Sequence, residues 1–201
     1  MKWQSLESYW GEIKDAYLIP KDEAQAVART KCSSIYGEVS DQGVARFMGE
    51  IPLRYGKFAD LGSGRGNVVA FVAQNYGFET CYGVEISKLR HDIATKCLAG
   101  VIDKFPKLEK VKLLNKDLFD FDLSKMDVVF CDNLIFEQSA IDRMTKKAVR
   151  EMKDGSFFVS MLSLVWDQGE LEDSPLELVT RIKIKTSWSD SCPVFVYRIS
   201  R

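Results

Sequence analysis

The chain has 201 residues, 46% hydrophobic and 28% charged, with 13 glycines and 5 prolines, a composition that excludes fibrous and disordered chains and suits a single globular domain. Its 28 basic and 29 acidic residues leave a formal charge of −1, so no global basic field draws it onto nucleic acid and a histone-like or ribosomal-type binder is disfavoured. A single histidine, His91, excludes a zinc hydrolase built on two imidazoles, and no metal is expected. The five cysteines, at 32, 81, 97, 131 and 192, form no CxxC pair and leave an odd thiol, which favours a reducing compartment. With no apolar run long enough to span a bilayer and charges throughout the first residues, the expectation is a soluble, intracellular protein that does not engage membranes.

Residues 1–35 are polar and helix-prone. Trp3, Leu6, Trp10, Ile13 and Tyr17 recur at spacings of three and four, which predicts an amphipathic helix packed on a larger body and ended by Pro20. Short apolar runs and longer helical patterns then alternate: KFADLG, NVVAFVAQNYG, TCYGVE, SKLRHDIATKCLAGVIDKF, KVKLLN and MDVVFCDN. A helix over Ala140 to Lys153 and a fifth strand in SFFVSML follow. From Leu178 the pattern turns to alternation, LVTRIKIKTSW and PVFVYRIS, joined by SDSCP, which predicts a hairpin with no helix between its strands. Five parallel strands and a terminal hairpin are the Rossmann-like α/β sheet of a class I methyltransferase, whereas a nicotinamide-binding domain has six parallel strands.

Between the first strand and its helix lies Asp60-Leu61-Gly62-Ser63-Gly64-Arg65-Gly66-Asn67. Glycines there let the backbone turn sharply and approach a ligand that a Cβ would keep away. The spacing is GxGxG, and the third glycine of a dinucleotide fingerprint falls on Asn67, which disfavours a pyrophosphate cofactor. Asp60, ahead of the loop, suits a ligand with a cationic amine, as S-adenosylmethionine has. Glu85 ends the second strand, where a carboxylate accepts hydrogen bonds from ribose hydroxyls, although an acid at a strand end is also an ordinary cap. Asp117 stands where methyltransferases hydrogen-bond the adenine amine, with Leu118 or Phe119 on the ring, and is equally the residue type of a helix N-cap.

Ile35-Tyr36-Gly37-Glu38-Val39-Ser40, the glycine loop, Tyr82-Gly83-Val84-Glu85, Asp132-Asn133-Leu134-Ile135-Phe136, and Ser187-Trp188 followed by Pro193-Val194 resemble, in order and spacing, the non-SET histone lysine methyltransferases named for disruption of telomeric silencing. The resemblance implies that Tyr36, Gly37 and Glu38 fold over the cofactor, with Glu38 near its methionine amine. It implies that Asp132, Asn133 and Phe136 line the mouth where lysine meets the methyl group. In the family that segment usually begins with two asparagines and is richer in aromatics; here Asp132 replaces the first and Leu134 an aromatic. Phe195 or Tyr197 is the counterpart of a family tyrosine in the last hairpin.

The same residues make chemical sense without the resemblance. Methyl transfer from a sulfonium to an amine needs alignment and exclusion of water rather than a covalent nucleophile. A channel lined by Phe136 and Trp188 would favour the neutral amine by desolvation, although Trp188 could equally be a hairpin core residue. His91 is expected to face solvent. The rows Arg143, Lys146, Lys147, Arg150, Lys153 and Arg181, Lys183, Lys185 read as solvated faces able to touch DNA or an acidic protein patch. The expectation is thus a 1–35 helical lead and a 36–201 catalytic domain that uses S-adenosylmethionine to methylate a core histone lysine in nucleosomes, in the nucleus. The competing readings are a methyltransferase of another protein or small molecule, cytoplasmic in that case, and a cofactor-binding regulatory subunit without catalysis.

Overall fold

The computed structural model describes residues 3–52, 55–164 and 174–201 around a seven-stranded sheet of order β3-β2-β1-β4-β5-β7-β6. The strands are β1 (Lys57–Leu61), β2 (Thr80–Glu85), β3 (Val111–Asn115), β4 (Val128–Cys131), β5 (Phe157–Ser160), β6 (Leu176–Ile184) and β7 (Cys192–Ile199). Strands β1 to β5 pair in parallel, while β7 is antiparallel to both β5 and β6. Only β7 is reversed, because β6 beyond it runs with the first five. The expected five parallel strands and terminal hairpin are present, the hairpin's second strand lying inside its first.

Helices α3 (Asn67–Asn75), α4 (Lys88–Val101) and α5 (Gln138–Glu151) make the crossovers, and α1 (Lys21–Arg29) and α2 (Asp41–Gly49) precede the sheet. Strands covered on both faces need no polar alternation. Successive residues of β1 and β4 divide accordingly: Phe58 and Phe130 join Phe47, Val69 and Phe71 in one buried cluster, and Ala59 and Val129 join Ile141, Met144 and Ala148 in the other. The strand order reverses between β1 and β4, whose last residues, Leu61 and Cys131, are register partners. A crevice opens at such a switch point, at the carboxyl ends of the strands.

The lead departs from expectation. The predicted helix through Trp3 and Tyr17 is replaced by two 3₁₀ turns, Glu7–Tyr9 and Ile13–Ala16, and Pro20 precedes α1 instead of ending a helix. Gly11 breaks the run at φ 69°, a conformation no helix contains. The apolar side chains do not share one face either. Leu6 and Trp10 are buried, whereas Trp3 and Tyr17 stay largely exposed. Each anchor has its own partner: the Leu6 N–H donates to buried Asp41 at 2.7 Å, and the Trp10 indole N–H to the Arg65 carbonyl at 2.6 Å. Among the described residues no helix is long and apolar enough to cross a membrane.

Candidate active site

The glycine loop turns because three residues adopt positive φ: Gly62 at 81°, Gly64 at 52° and Gly66 at 78°. Gly62 and Ser63 both donate their N–H to the Val84 carbonyl, at 2.8 and 3.0 Å, which fixes the loop to the end of β2. Beside it lies a cavity of about 390 Å³. Of the residues singled out from sequence, Tyr36, Gly37, Gly62, Glu85, Asp117, Leu118, Asp132, Phe136 and Trp188 line it. Glu38, Asp60, Gly64, Gly66, Asn67 and Asn133 are not in its lining.

Those six support the wall from behind. The Asn67 amide donates to the Val39 carbonyl at 3.0 Å, and Gly66 caps α3. A Cβ on Gly64 would stand 2.4 Å from the Tyr36 ring, so any side chain there meets Tyr36 before it meets a ligand. Asn133 is fully buried, and its Oδ1 accepts from the Ser160 hydroxyl and the Met161 and Leu162 N–H groups at 3.0–3.1 Å. Asn133 therefore fastens β4 to the turn after β5. Its Nδ2 is a buried donor without a partner among the described residues.

Three carboxyls gather at neighbouring strand ends. Asp60 is buried, and its Oδ2 has no hydrogen-bond partner among the described residues. Burial, with repulsion from Asp132 and Glu85 added, pushes its carboxyl well above the usual range, the Val69 N–H opposing. Burial likewise raises Asp132 to about 6, against the pull of the Leu134 N–H at 3.4 Å. Glu85 is also raised by burial, although the Ser87 and Gly64 N–H groups, at 2.8 and 2.9 Å, and Arg90 favour its charged form. Among the described residues, Arg90 is the one cationic side chain in the cavity lining. Its guanidinium donates to the Ala16 and Ser34 carbonyls, at 3.0 and 2.6 Å, and stacks 4.5 Å from the Tyr36 ring. Among the described residues no group of three or more His, Cys, Asp and Glu side chains is placed to hold a metal ion.

Motifs far apart in the chain meet here. The Glu38 N–H donates to the Ser187 hydroxyl at 3.0 Å, and the Ser187 N–H returns to the Glu38 carbonyl at 2.8 Å, across 149 residues. Gly37 lies under Trp188, whose ring would be 2.3 Å from a Cβ at that position. Trp188 is 43% exposed at the cavity mouth, not a core residue of the hairpin. Asp117 lines the cavity and also caps a 3₁₀ turn through the Phe119 N–H at 2.9 Å. Phe195 and Tyr197 do not line the cavity; the Tyr197 hydroxyl is held by the Leu164 N–H at 3.0 Å.

Sequence reasoning missed the lead's share of the wall, from Tyr17, Val27, Thr30, Cys32 and Ser33, and the role of Arg90. The available signal was Glu23 and Arg90 as long charged residues flanking this region. The Glu23 carboxylate accepts from the Ser87 hydroxyl at 2.6 Å and docks the lead on α4. The basic row on and just after α5 also differs from a solvated face. Lys147 is buried and paired with Glu151 at 2.7 Å, Arg143 stacks 3.9 Å from the Phe119 ring, and Lys153 reaches Asp127 at 2.5 Å. Lys146 and Lys183 are exposed and carry no ion pair among the described residues.

A cavity at the β1/β4 switch point, bounded by a GxGxG turn and a carboxylate ending β2, in a sheet whose penultimate position holds a reversed strand, is the class I methyltransferase architecture. Solved structures agree on the fold. A tRNA methyltransferase from B. subtilis superposes with a TM-score of 0.61 at 13% identity, over 79% of this chain and 66% of that one. An RNA methyltransferase from Salinibacter ruber, in complex with S-adenosyl-L-homocysteine, gives 0.54 at 18% identity over 92% and 94%. Residues 19–190 match the family described as histone methylation protein DOT1, and the chain belongs to that family. Two relatives bear the name histone-lysine N-methyltransferase, H3 lysine-79 specific. The one from Emericella nidulans is 28% identical over 92% of this chain and 39% of its own length. The one from Aspergillus fumigatus is 27% identical over 86% and 36%. The chain thus spans under two fifths of these relatives' length.

Proposed function

We propose that this chain is an S-adenosylmethionine-dependent protein lysine N-methyltransferase that modifies a histone lysine, presented on the nucleosome, in the nucleus. One observation carries the reading: two carboxyls raised by burial, Glu85 and Asp132, line the cavity a class I methyltransferase uses, with buried Asp60 behind them, its Oδ2 without a partner among the described residues. S-adenosylmethionine fits such a site, because its ammonium and sulfonium offset negative charge that Arg90, the cation in the lining, balances only in part. When bound, it supplies a methyl group on a sulfonium, transferable to an amine by in-line displacement.

The residues present divide the work. Glu85 has both oxygens on backbone N–H groups and keeps lone pairs for ribose hydroxyls, and Asp117 and Leu118 serve the adenine end. Asp60, outside the lining, backs the glycine loop rather than touching the ligand. Phe136, Leu134 and Trp188 form an apolar mouth beside Asp132. Desolvation there favours the neutral lysine amine, the only form with a free lone pair, while Asp132 is placed to orient it. Exposed Lys146 and Lys183 are the remaining candidates for contact with nucleosomal DNA.

Calorimetry and a labelling assay test this. S-adenosylhomocysteine should bind and NAD should not. With radiolabelled S-adenosylmethionine, label should appear on histone in nucleosomes, fall as salt rises, and be weaker on free histone. NAD binding would overturn the cofactor reading; label confined to non-histone proteins or small molecules would overturn the substrate.

A further inference from the structure

Arg65 stands inside the glycine loop, yet its side chain is only 4% exposed, and a buried guanidinium is costly unless its donors are used. They are used outside its own segment. Nε and Nη2 fork onto the two oxygens of Glu38, at 2.7 and 3.0 Å, and Nη1 donates to the Trp10 carbonyl at 2.8 Å. The Tyr36 hydroxyl donates to Glu38 Oε1 at 2.7 Å and accepts from the Arg65 N–H at 3.0 Å. Such two-point carboxylate recognition fixes orientation as well as distance. Glu38 in turn is paired through its backbone with Ser187 in both directions. One ion pair therefore ties together the glycine loop, the lead, the 36–39 loop and the turn after β6.

The geometry points to Arg65 and Glu38 as a latch that holds the 36–39 loop closed over the cavity and so sets how long a bound cofactor stays. The inference rests on the S-adenosylmethionine reading of that cavity. Tyr36 and Gly37 line it, whereas Glu38, whose carboxylate is committed to Arg65 and Tyr36, does not. Glu38 is then a positioning residue and not a ligand of the cofactor amine. The pair also sits at the edge of the wall, the Glu38 side chain being 14% exposed, while Val39 next to it anchors the end of the loop in an apolar cluster, so opening sacrifices the polar contacts of residues 36–38 about that anchor.

Two probes separate the latch from direct contact: S-adenosylhomocysteine, which carries the amine, and 5′-methylthioadenosine, which lacks the amino-acid portion. Affinity is read by calorimetry and dissociation by stopped-flow tryptophan fluorescence for Arg65→Met and Glu38→Gln. A latch predicts that both variants speed dissociation of both ligands about 10- to 100-fold, the range for lost hydrogen bonds to charged groups. It also predicts a KM for S-adenosylmethionine that rises by a larger factor than kcat falls, and faster hydrogen exchange at the Glu38 and Ser187 amides. Loss of S-adenosylhomocysteine affinity in Glu38→Gln with 5′-methylthioadenosine unaffected would overturn the latch in favour of amine contact. Unchanged dissociation of both ligands would overturn it while leaving the cofactor reading standing. Failure of the wild type to bind S-adenosylhomocysteine would instead remove the cofactor reading itself. Should Arg65→Met not fold, the two-ligand comparison on Glu38→Gln decides alone.

Discussion

The acidic corner should weaken the free protein, and Asp132→Asn measures by how much. The Asp132 carboxyl stands at about 6 against an ordinary 3.8, chiefly through burial. At about 1.4 kcal/mol per tenfold in proton affinity, the ceiling is ~3 kcal/mol of folding stability forgone at neutral pH. Asp132 faces the cavity, and water reaching it screens part of the cost, so about 1–2 kcal/mol is expected. The sign follows from the raised value. Below pH 3.8 the group is protonated, folded or not, and the wild type is not penalised. As pH rises toward 6 the unfolded chain releases the proton while the folded one retains it, and stability is lost across that window. The amide never ionises and keeps an acceptor for the Leu134 N–H. Urea denaturation of both proteins from pH 4 to 8 should therefore show equal stability at the acid end and a growing advantage for Asp132→Asn that levels off above pH 6 to 7. No advantage at pH 7, or the same advantage at pH 4, refutes the reasoning.

Glu85→Gln should weaken S-adenosylhomocysteine by about 10- to 100-fold through the lost charged acceptor. It should also lower the melting temperature, since the Gly64 and Ser87 N–H groups share that carboxylate; calorimetry and thermal unfolding read the two effects, and an unchanged affinity would return Glu85 to the role of a strand cap. On α5 the paired substitutions separate surface from support. Lys146→Glu should leave the melting temperature within a degree or two and reduce nucleosome labelling, whereas Lys147→Glu sets a buried carboxylate against Glu151 and should cost about 3 kcal/mol or more in denaturation. Equal thermal stability of the two variants would contradict the packing of Lys147.

What could be seen in the sequence was whatever one local stretch specifies. The strand–turn–helix around Asp60 to Asn67 and the acid ending YGVE needed only glycine geometry and spacing, and Gly62, Glu85 and Asp117 lie where those rules put them. The Tyr36-Gly37-Glu38 and Ser187-Trp188 segments were visible as motifs but not as partners, because nothing local records a contact across 149 residues. Apolar spacing misled in the lead for a related reason. It counts side chains that could share a face, but Leu6 and Trp10 turn inward to separate anchors, Asp41 and Arg65, with Gly11 between them and Ile13. The α5 row misled in the opposite way, since the i,i+4 spacing allows the Lys147–Glu151 pair but cannot show that the Lys147 stem is buried beneath it.

Arg65 joins the two lessons. A long cation inside a glycine loop contradicts the local rule that such loops carry small residues, and breaches of a local rule mark places where distant structure intervenes. Here the loop's cation faces away from the cavity, onto Glu38, and leaves Arg90 to face Glu85 and Asp132 across the lining. Had the guanidinium turned into the cavity, it would have neutralised the acids, stabilised the free fold and repelled a cationic ligand. Turned onto Glu38, it fixes the wall in place while Glu85 and Asp132 remain in the lining, available to the ligand. The instability of the acidic corner and its preference for a cation therefore have one origin, and the latch supplies the rigidity that the corner itself cannot.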